Sequence, residues 1–281
     1  MKLYAIGEII WDIYDTEKVI GGATFNFCGH CARLGDETYL ISAVGTDELG
    51  RNALNIADQL GMQTCHIASL DAPTGACIVT LDENAKPNFN VLQNVAYDQI
   101  PIMNSPLSGD CLYFGTLIQR APQSRRALRA ITEQGAFREI FCDINLRNGC
   151  YDEDSLSYTL RHATLVKLSD DEAPALYAMG MLPRGNAPVW EALAQAYPNL
   201  KVIVYTMGAE GSLAYDAASG QIFRSETPRP EKVVSTVGAG DSYCSAFIHH
   251  YMQGDSLEIC VREATRLSSH VVAHREAIPP M

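Results

Sequence analysis

The sequence predicts an α/β fold in which helices flank a doubly wound, mostly parallel sheet, and three observations support this class. Short apolar segments typical of buried strands alternate with longer segments that have the periodicity of amphipathic helices. Gly35 and Gly61 follow predicted helices, where a residue in the left-handed conformation commonly ends a helix. The chain has 281 residues, 47% of them hydrophobic, which is enough for one large core. We therefore expect a single domain over residues 1–281.

The predicted strands and helices alternate along most of the chain. Strands are expected over residues 3–14, 38–44, 76–81, 88–92, 111–114, 139–144, 164–168, 201–205, 213–215 and 221–224. Helices are expected over residues 23–34, 49–60, 123–134, 172–179, 189–196, 240–253 and 257–273, with a further helical stretch between 144 and 164. Glu8 and Asp12 are expected on one face of the first strand, because side chains alternate with a period of two. The strands between about 73 and 97 flank a predicted turn at 82–85 and break the alternation.

The bulk composition excludes several classes of function. A net charge of −12 disfavours nucleic acid or an anionic membrane surface as a partner, because both attract basic proteins. No segment approaches the roughly 18 apolar residues of a membrane helix, and Glu8 and Asp12 interrupt the first apolar run, so no signal peptide is expected. Nine cysteines without a disulfide framework are typical of reduced thiols, and we expect a cytoplasmic protein.

The run Cys28-Gly29-His30-Cys31 has the spacing of a dithiol redox motif. The alternative is that both cysteines are small apolar residues on a helix opened by Gly21-Gly22. This alternative is favoured, because the thioredoxin-like context of a preceding strand in a short βαβ unit is absent. A zinc site is disfavoured as well, since no second cysteine pair at finger spacing completes four ligands.

The run Val237-Gly238-Ala239-Gly240-Asp241 lies where a strand-like segment gives way to a predicted helix. Glycine lets the main chain approach an anion closely, and the free N–H groups and dipole of a helix N-terminus attract that anion. A bound phosphate repels a neighbouring carboxylate, so the position of Asp241 favours a chemical role, that of a base for an attacking hydroxyl. The alternative is an ordinary acidic residue that caps a helix.

The chain resembles the ribokinase/PfkB family of sugar and nucleoside kinases in blocks that follow the family's order. They are Gly21-Gly22-Ala23-Thr24-Phe25-Asn26, Arg33-Leu34-Gly35, residues 44–50, Asp143-Ile144-Asn145-Leu146-Arg147, and residues 167–172, 206–211 and 236–241. Together they cover nearly the whole chain. The resemblance implies a ribokinase-like fold in which strands from about 12–21 and 73–97 form a small β lid over a cleft. It also implies an enzyme that transfers the γ-phosphoryl group of ATP to a sugar hydroxyl.

The resemblance implies a role for each matching residue. Asp241 is the expected catalytic base, and the amides of Gly238, Ala239 and Gly240 are the expected anion hole for the transferred phosphoryl group. The residues expected to bind the acceptor sugar are Asp12, Gly22, Asn26, Tyr97, Asn145 and Arg147. Those expected to bind ATP are Lys167, Thr206, Gly208, Gly211 and Thr236, and Glu172 is expected to hold Mg²⁺ through water.

Some of these assignments have a simpler structural alternative. Asp12 is alternatively a solvent-facing acid at the end of a strand. Arg147 is alternatively a surface residue paired with Asp152 or Asp154. The glycines of the block at 206–211 are equally suited to plain turn positions.

Three positions depart from the family's pattern. Ser169 occupies the asparagine position of the family's Asn-x-x-Glu element, which weakens the metal and phosphate assignment around Glu172. Ser235 stands where several members have an aspartate that helps to hold a monovalent cation, so we predict weak or absent activation by potassium. Glu276-Ala277 stands where the family tends to have Gly-Ala near the adenine pocket, and altered base affinity or specificity is expected.

Several stretches resemble the bacterial fructokinase-like branch, among them Gly7-Glu8-Ile9-Ile10-Trp11-Asp12 and Asn94-Val95-Ala96-Tyr97-Asp98. Fructose is therefore the expected acceptor, with ribose, 2-keto-3-deoxygluconate and other hexoses as alternatives, because one hydroxyl contact can decide between sugars. A further alternative is a catalytically weak sugar-binding or regulatory protein on the same fold. The expected partners are the sugar and ATP, and exposed strand edges of the lid are expected to carry a homodimer contact.

Overall fold

The computed structural model describes residues 1–81, 87–183, 185–228 and 232–280 of the chain. Its strands are β1 (Lys2–Ile6), β2 (Ile10–Ile13), β3 (Lys18–Gly21), β4 (Glu37–Gly45), β5 (Ile67–Leu70), β6 (Ala76–Leu81), β7 (Pro87–Val91), β8 (Ser108–Gly115), β9 (Ala136–Asp143), β10 (Leu165–Ser169), β11 (Val202–Thr206), β12 (Ser212–Asp216) and β13 (Ile222–Ser225). Its α-helices are α1 (Ala23–Arg33), α2 (Glu48–Gln59), α3 (Pro122–Gln134), α4 (Glu153–His162), α5 (Ala173–Ala178), α6 (Val189–Ala196), α7 (Ala239–Gln253) and α8 (Leu257–Val271). Short 3-10 helices cover Ala96–Gln99, Thr116–Arg120 and Gly208–Glu210.

The larger of two sheets has, within the described ranges, nine strands in the order β13-β12-β11-β10-β9-β8-β1-β4-β5. Neighbours from β11 to β5 pair in parallel, whereas β12 and β13 at one edge pair antiparallel. Helices connect most of the parallel strands, so the predicted doubly wound, mostly parallel sheet is confirmed. The carboxyl ends of β1, β9, β10 and β11 meet at the same edge of the sheet, where α/β folds place their ligands.

The smaller sheet has the order β3-β2-β6-β7. Strand β2 pairs antiparallel with β3 and parallel with β6, and β6 pairs antiparallel with β7. These strands come from the two segments that were expected to supply a lid, and the turn predicted at 82–85 lies outside the described residues. Side chains of this sheet, including Ile10 and Cys77, pack with Tyr97 and Leu117 of the adjoining segments in a small apolar cluster.

The single strand predicted over residues 3–14 is wrong, because this segment forms β1 and β2 in two different sheets. Between them the chain passes so close to α1 that a Cβ on Gly7 would lie 2.6 Å from the side chain of Thr24. Glu8 therefore lies in a connection and Asp12 lies on β2, so they do not share one face of one strand. The sequence also does not reveal β5, whose side chains are only partly buried and lack a clear apolar alternation.

Two apolar layers cover the larger sheet, one on each face. Helices α1, α2, α7 and α8 supply one layer, with Phe27 and Phe247 among its fully buried residues. Helices α3 to α6 supply the other layer, with Leu128 and Leu156 among its buried residues. The ring of Phe27 stacks on Tyr113 of β8 with 3.7 Å between centroids, which holds α1 against the sheet.

No helix in the described part of the chain combines the length and the apolar character needed to cross a bilayer. Cys28 and Cys31 of α1 are both fully buried in the core and neither forms a disulfide. Burial raises the pKa of both thiols, so the reactive thiolate is disfavoured. The interpretation of these cysteines as core residues is therefore supported, and a redox role is not.

Candidate active site

The turn over residues 235–241, which we call the anion turn, leads into α7. Gly238 adopts a left-handed φ of +81°, and a Cβ there would lie 2.7 Å from the Cβ of Ala277. The N–H of Ala239 closes the turn by donating to the Thr236 carbonyl at 3.3 Å. The first N–H groups of the helix lack acceptors within it, so the turn offers backbone donors to an anion. The N–H of Ala239 is partly used by the turn itself, and an anion hole at these amides stays a prediction.

Asp241 lies in the first turn of α7 and is only 8% exposed. Its Oδ2 accepts a hydrogen bond from Asn26 Nδ2 at 2.8 Å. Burial raises the pKa of Asp241 to about 7; the charges of Asp143 and Glu8 also raise it, whereas Asn26 and Lys167 lower it. The N-cap position belongs to Gly238 and has no side-chain capping bond, so the alternative that Asp241 caps the helix is wrong.

A buried ion pair lies beneath the anion turn. Lys167 on β10 and Asp143 at the end of β9 are register neighbours, and Lys167 Nζ donates to Asp143 Oδ1 at 2.9 Å. Lys167 Nζ also lies 3.3 Å from the point that a Cβ on Gly240 would occupy. Burial lowers the pKa of Lys167, but the charges of Asp143 and Glu172 and the hydrogen bond with Asp143 act together against it, so the pKa lies above its ordinary value. Lys167, predicted to contact ATP, is thus paired inside the protein, and the sequence assigns no role to its partner Asp143.

Two of the predicted sugar ligands lie at the start of α1. Gly22 adopts a left-handed φ of +105°, and a Cβ there would lie 2.6 Å from the Glu8 carbonyl oxygen. Asn26 is 2% exposed, and its Oδ1 has no hydrogen-bond partner among the described residues. A buried amide oxygen without a donor is costly, so a ligand or water that supplies one is favourable there.

Asp12 lies on β2 of the smaller sheet rather than at the end of the first strand of the larger sheet. It is partly buried and lines a cavity together with Ser235 and Val237 of the anion turn. Burial raises the pKa of Asp12 to about 6, and the charge of Arg147 opposes this shift. A Cβ on Gly21 would lie 3.9 Å from both Asp12 Oδ2 and Asn26 Nδ2, so both side chains border one space. The alternative of a purely solvent-facing acid is not supported.

Arg147 and Asn145 follow β9 in the connection to α4. Arg147 is exposed and forms no ion pair with any residue of the described ranges. The alternative partners Asp152 and Asp154 instead pair with Arg125 at 2.7 and 3.2 Å, so the predicted surface pair is wrong. Burial raises the pKa of Asp12, and the positive charge of Arg147 opposes that shift without forming an ion pair with the carboxyl.

Tyr97, predicted to contact the sugar, is fully buried in the 3-10 helix Ala96–Gln99. Its ring lies 4.7 Å below the guanidinium carbon of Arg120, which forms two hydrogen bonds with Asp98, at 2.8 and 3.0 Å. The Tyr97 hydroxyl has no partner in the part of the chain that the structure describes. Tyr97 therefore packs in the small apolar cluster beneath the smaller sheet, and its contact with a sugar stays a prediction.

Glu172 joins the two connections that follow β9 and β10. Its Oε1 accepts the N–H of Leu146 at 2.9 Å and its Oε2 accepts the N–H of Ser169 at 2.8 Å. Ser169 thus contributes its backbone N–H to this bond, which any residue except proline would do. Among the described residues, no group of three or more His, Cys, Asp or Glu side chains is arranged to hold a metal ion. The protein alone therefore offers one carboxylate here rather than a metal cage.

The remaining predicted nucleotide ligands lie at the end of β11 and on the anion turn. Gly208 and Gly211 both have left-handed φ values, of +53° and +104°, and a Cβ on Gly211 would overlap the Ser225 carbonyl. The turn interpretation therefore explains these glycines without a nucleotide. Thr206 ends the strand, and Thr236 is exposed with its carbonyl used by the anion turn. Their contact with ATP stays a prediction.

The sequence matches a model of the pfkB family carbohydrate kinases over residues 6–281. It is 26% identical to a fructokinase of Salmonella typhimurium over 263 residues, covering 88% of this chain and 83% of that protein. It is 26% identical to a 5-dehydro-2-deoxygluconokinase of Shouchella clausii, with 94% and 84% covered, and 24% identical to a 2-dehydro-3-deoxygluconokinase of Haemophilus influenzae, with 92% and 87% covered. These relatives agree on the class of reaction and differ in the sugar.

Solved structures share the fold over nearly the full length. The aminoimidazole riboside kinase of Salmonella enterica, complexed with aminoimidazole riboside and an ATP analog, superposes with a TM-score of 0.82 at 20% identity, covering 99% of this chain and 95% of that chain. The fructokinase of Vibrio cholerae O395 in its fructose, ADP and calcium ion bound form has a TM-score of 0.80 at 22% identity, with 99% and 94% covered. The predicted ribokinase-like fold is confirmed.

Proposed function

This chain belongs to the pfkB family of carbohydrate kinases and is a sugar kinase, and we propose that it transfers the γ-phosphoryl group of ATP to a hydroxyl of fructose. The observation that carries the proposal is Asp241, which lies buried beside the anion turn with its carboxylate held by Asn26 at 2.8 Å. Because its pKa is raised to about 7, this carboxylate can accept a proton near neutral pH. A base in that position, next to backbone donors for an anion, suits transfer of a phosphoryl group to a hydroxyl.

The proposed chemistry has two parts, proton transfer and charge stabilisation, which different residues perform. Asp241 takes the proton of the sugar hydroxyl as that oxygen attacks the γ-phosphorus, a contribution of about 10² to 10⁴ in rate. The amides of the anion turn stabilise the charge that develops on the transferred phosphoryl oxygens. The Asp143–Lys167 pair supports the turn from below and adds little net charge, because its two charges oppose each other at 2.9 Å. The remaining positive field for the anion comes from the start of α7.

The proposed nucleotide side consists of Thr206, Gly208, Gly211 and Thr236. Relatives of the same fold have been solved with an ATP analog and with ADP, which supports ATP as the co-substrate. The space beside Gly208 is open, because a Cβ on this residue would have no atom within 4 Å, and this agrees with a backbone surface on which a nucleotide can lie.

Magnesium fits the site as an ion brought in with the nucleotide. Each oxygen of Glu172 accepts one backbone N–H and keeps a further lone pair for a water. One carboxylate, with phosphates and water supplying the other ligands, is a normal environment for Mg²⁺. We propose that Glu172 orients such a water, and the bound ion would neutralise phosphate charge during transfer.

Fructose is proposed over the sugar acids because of the charges around the acceptor space. The carboxyls of Asp12 and Asp241 are the acids of this space, and Arg147 is the neighbouring cation that is free of an ion pair within the described residues. An excess of carboxylates accepts hydroxyl groups well and repels a substrate carboxylate. The fructokinase relatives support the same choice, and a kinase for ribose or 2-keto-3-deoxygluconate is the alternative.

The smaller sheet is proposed to act as a lid over the acceptor. It contributes Asp12 to the same cavity as the anion turn, and it leaves β3 and β7 as outer strands. Unpaired strand edges favour pairing with another chain. We propose a homodimer formed through these edges, which the molar mass in solution tests directly.

The test of the proposed function is ADP release with ATP and Mg²⁺ over fructose, ribose, glucose, mannose, 2-keto-3-deoxygluconate and adenosine. We expect the highest kcat/KM with fructose, and a fall in turnover of about 10² to 10⁴ in Asp241→Asn. Highest turnover with another sugar keeps the mechanism and overturns the substrate. Equal turnover of the wild type and Asp241→Asn overturns the base assignment. Bound sugar or ATP without turnover on every acceptor favours the regulatory alternative.

The same assay tests the cation prediction. Ser235 Oγ accepts the N–H of Val237 at 3.2 Å and carries no charge to attract potassium. We expect turnover to change less than about twofold between sodium and potassium buffers, since an uncharged hydroxyl adds little to the binding of a hard cation. Stimulation of about tenfold by potassium would contradict this expectation.

A further inference from the structure

Glu8 is a buried carboxylate that the proposed mechanism does not use. It follows β1 and is 2% exposed. Its Oε1 accepts the N–H of Ala23 at 2.9 Å, and its carbonyl accepts the hydroxyl of Thr24 at 2.8 Å. Since a Cβ on Gly22 would also lie 2.6 Å from the Glu8 carbonyl oxygen, the Glu8 connection and the first turn of α1 are interlocked.

Helix α1 depends on Glu8 for the capping of its N-terminus. Its N-cap residue is Gly22, which has no side chain to accept an N–H of the first turn. Glu8, fifteen residues before Ala23 in the chain, supplies that acceptor instead. One turn further along the same helix, Asn26 donates to Asp241 at 2.8 Å. A continuous set of contacts therefore runs from Glu8 through the start of α1 and Asn26 to the proposed base.

We propose that Glu8 is a positioning residue for phosphoryl transfer, which fixes the first turn of α1 so that Asn26 holds Asp241, and whose negative charge makes Asp241 a stronger base. This inference rests on the proposed role of Asp241. It gives a purpose to a buried carboxylate whose second oxygen, Oε2, has no hydrogen-bond partner among the residues described. An uncompensated buried carboxylate is costly and is retained where it serves a function.

The charges around the two carboxyls agree with this role. Asp241 faces Asn26 on α1, Asp143 on β9 and Lys167 on β10, besides Glu8 itself. Asp143 is paired with Lys167, whose positive charge offsets part of the effect of Asp143 on Asp241. Glu8 adds a second negative charge that raises the pKa of the base.

Glu8 in turn faces two cations and an aromatic hydroxyl. Burial raises the pKa of Glu8, and the charges of Arg147, after β9, and Arg120, in the 3-10 helix Thr116–Arg120, oppose that shift. Arg120 is already bonded to Asp98 through two nitrogens, and Glu8 raises the pKa of the neighbouring Tyr97 hydroxyl. Arg120 is therefore engaged elsewhere, whereas Arg147 forms no ion pair within the described residues, and the negative charge of Glu8 raises the pKa of Asp241 in the presence of both.

Glu8→Gln isolates the charge, because the amide oxygen can still accept the N–H of Ala23. The measurement is the pH dependence of kcat/KM for the sugar, whose acid limb reports the ionisation of the base. We expect this limb to move to lower pH by about 0.5 to 1.5 units, from the interaction of two nearby charges at an effective dielectric of about 20. The KM for ATP should stay within about twofold, because Glu8 lies on the acceptor side of the base. An acid limb that does not move in the folded variant overturns the effect of the charge.

Glu139→Gln is the matched control. Glu139 is also a buried glutamate, 4% exposed, but it lies on β9 in contact with Thr164 and Lys201, away from the anion turn. Its substitution should leave the acid limb in place. A shift of the same size in this control would show that loss of any buried carboxylate moves the profile, and would overturn the specific role of Glu8.

A double-mutant cycle tests whether Glu8 positions Asp241 through the first turn of α1 and Asn26. Glu8→Ala and Asn26→Ala are each expected to lower kcat by about tenfold or more, as for loss of an oriented catalytic group. The double variant should lose clearly less than the product of the two, because both act on Asp241 through α1. If the kcat loss of the double variant equals the product of the two single losses, the residues act independently and the proposed route through α1 is overturned. Thermal unfolding verifies that each variant is folded, and the isosteric Glu8→Gln keeps the proposal testable where Glu8→Ala does not fold.

These outcomes are separable from those of the proposed function. Full turnover in Asp241→Asn removes the base and with it the premise. A normal acid limb in Glu8→Gln, together with an inactive Asp241→Asn, overturns the role of Glu8 alone.

Discussion

The two sides of the proposed site differ in how their polar groups are satisfied. On the side of the larger sheet, Lys167 meets Asp143 at 2.9 Å and Asn26 meets Asp241 at 2.8 Å, and both bonds are buried. Elsewhere around the acceptor space, the side chains of Asp12 on the smaller sheet and of Arg147 after β9 form no hydrogen bond or ion pair within the described ranges. We call these the floor and the lid side. Groups that are already oriented need no reorganisation during the reaction, whereas unpartnered groups gain their partners from a ligand.

This difference assigns separate tasks to the two sides. Substitutions in the floor should lower the rate, and those that leave a buried charge without its partner should lower the stability as well, because they break bonds that exist without substrate. Substitutions on the lid side should raise KM for the sugar with little change in stability. A floor variant that changes only KM, or a lid-side variant that unfolds the protein, would break the comparison.

Lys167→Met is expected to have the largest effect. It leaves the carboxylate of Asp143, 1% exposed, without its cation, and breaking such a buried pair costs about 3–5 kcal/mol of unfolding free energy. The anion turn above it should lose its support, so turnover should fall as well. Denaturant unfolding and ADP release measure the two effects.

Lys201→Met is the control for this variant. Lys201 Nζ also lies 2.9 Å from a buried glutamate, Glu139, but its side chain is 53% exposed and Thr164 still donates to that carboxylate. We expect a loss of about 1 kcal/mol or less. Equal losses of unfolding free energy in the two lysine variants would show that the Asp143–Lys167 pair stabilises the protein no more than an exposed ion pair.

Gly238→Ala should reduce kcat by about 10² to 10³, the loss expected when a donor for a developing anion is displaced. A Cβ there meets Ala277 at 2.7 Å, so the anion turn must shift. Gly254→Ala is the matched control, because Gly254 ends the same helix with a similar φ of +86° and has no atom within 4 Å of the added Cβ. Both variants should lose about 1 kcal/mol of stability from the left-handed φ, but only Gly238→Ala should lose activity. Similar kcat values for the two would contradict an anion hole at this turn.

The base itself should be a source of instability at neutral pH. The pKa of Asp241 rises from 3.8 to about 7 on folding, so the folded state holds its proton more tightly than the unfolded state. The resulting penalty is absent below about pH 4, grows as pH rises toward 7, and is constant above it. Asp241→Asn should therefore be more stable than the wild type at pH 8, by up to about 4 kcal/mol, and nearly equal to it at pH 4. Thermal unfolding between pH 4 and pH 8 measures the difference in stability between the two proteins. A variant less stable than the wild type at pH 8 would contradict a destabilising charge on Asp241.

The sequence reveals much of the floor because its residues belong to short contiguous runs at the ends of strands and helices. Gly238 and Asp241 are recognisable in this way, since a glycine-rich turn before a helix is typical of an anion-binding site. The Asp143–Lys167 pair is not recognisable, because it depends on the register of two strands whose paired residues are 24 positions apart in the chain. The contact of Glu8 with α1 is equally hidden, since no local pattern indicates a cap supplied from fifteen residues away.

The lid side is where the sequence misleads. Apolar residues predominate over residues 3–14, so the sequence predicts one strand and places Asp12 in the larger sheet. The interruption arises from the close approach of Gly7 to Thr24, a tertiary contact that periodicity does not encode. The consequence for the site is large, because Asp12 lines the cavity beside the anion turn from the smaller sheet rather than from the larger one.

Tyr97→Phe should have the smallest effect and sharpens the comparison most. The Tyr97 hydroxyl is buried without a partner in the described residues, so its removal should leave the unfolding free energy unchanged or slightly higher. If that hydroxyl bonds the sugar, KM for the sugar should rise about 2- to 10-fold at nearly constant kcat, the worth of one neutral hydrogen bond. Tyr39→Phe, which removes a hydroxyl bonded to Glu37 on β4, serves as the control and should leave KM unchanged. An unchanged KM in Tyr97→Phe would make Tyr97 a packing residue alone, and recognition on the lid side would then rest on Asp12 and Arg147.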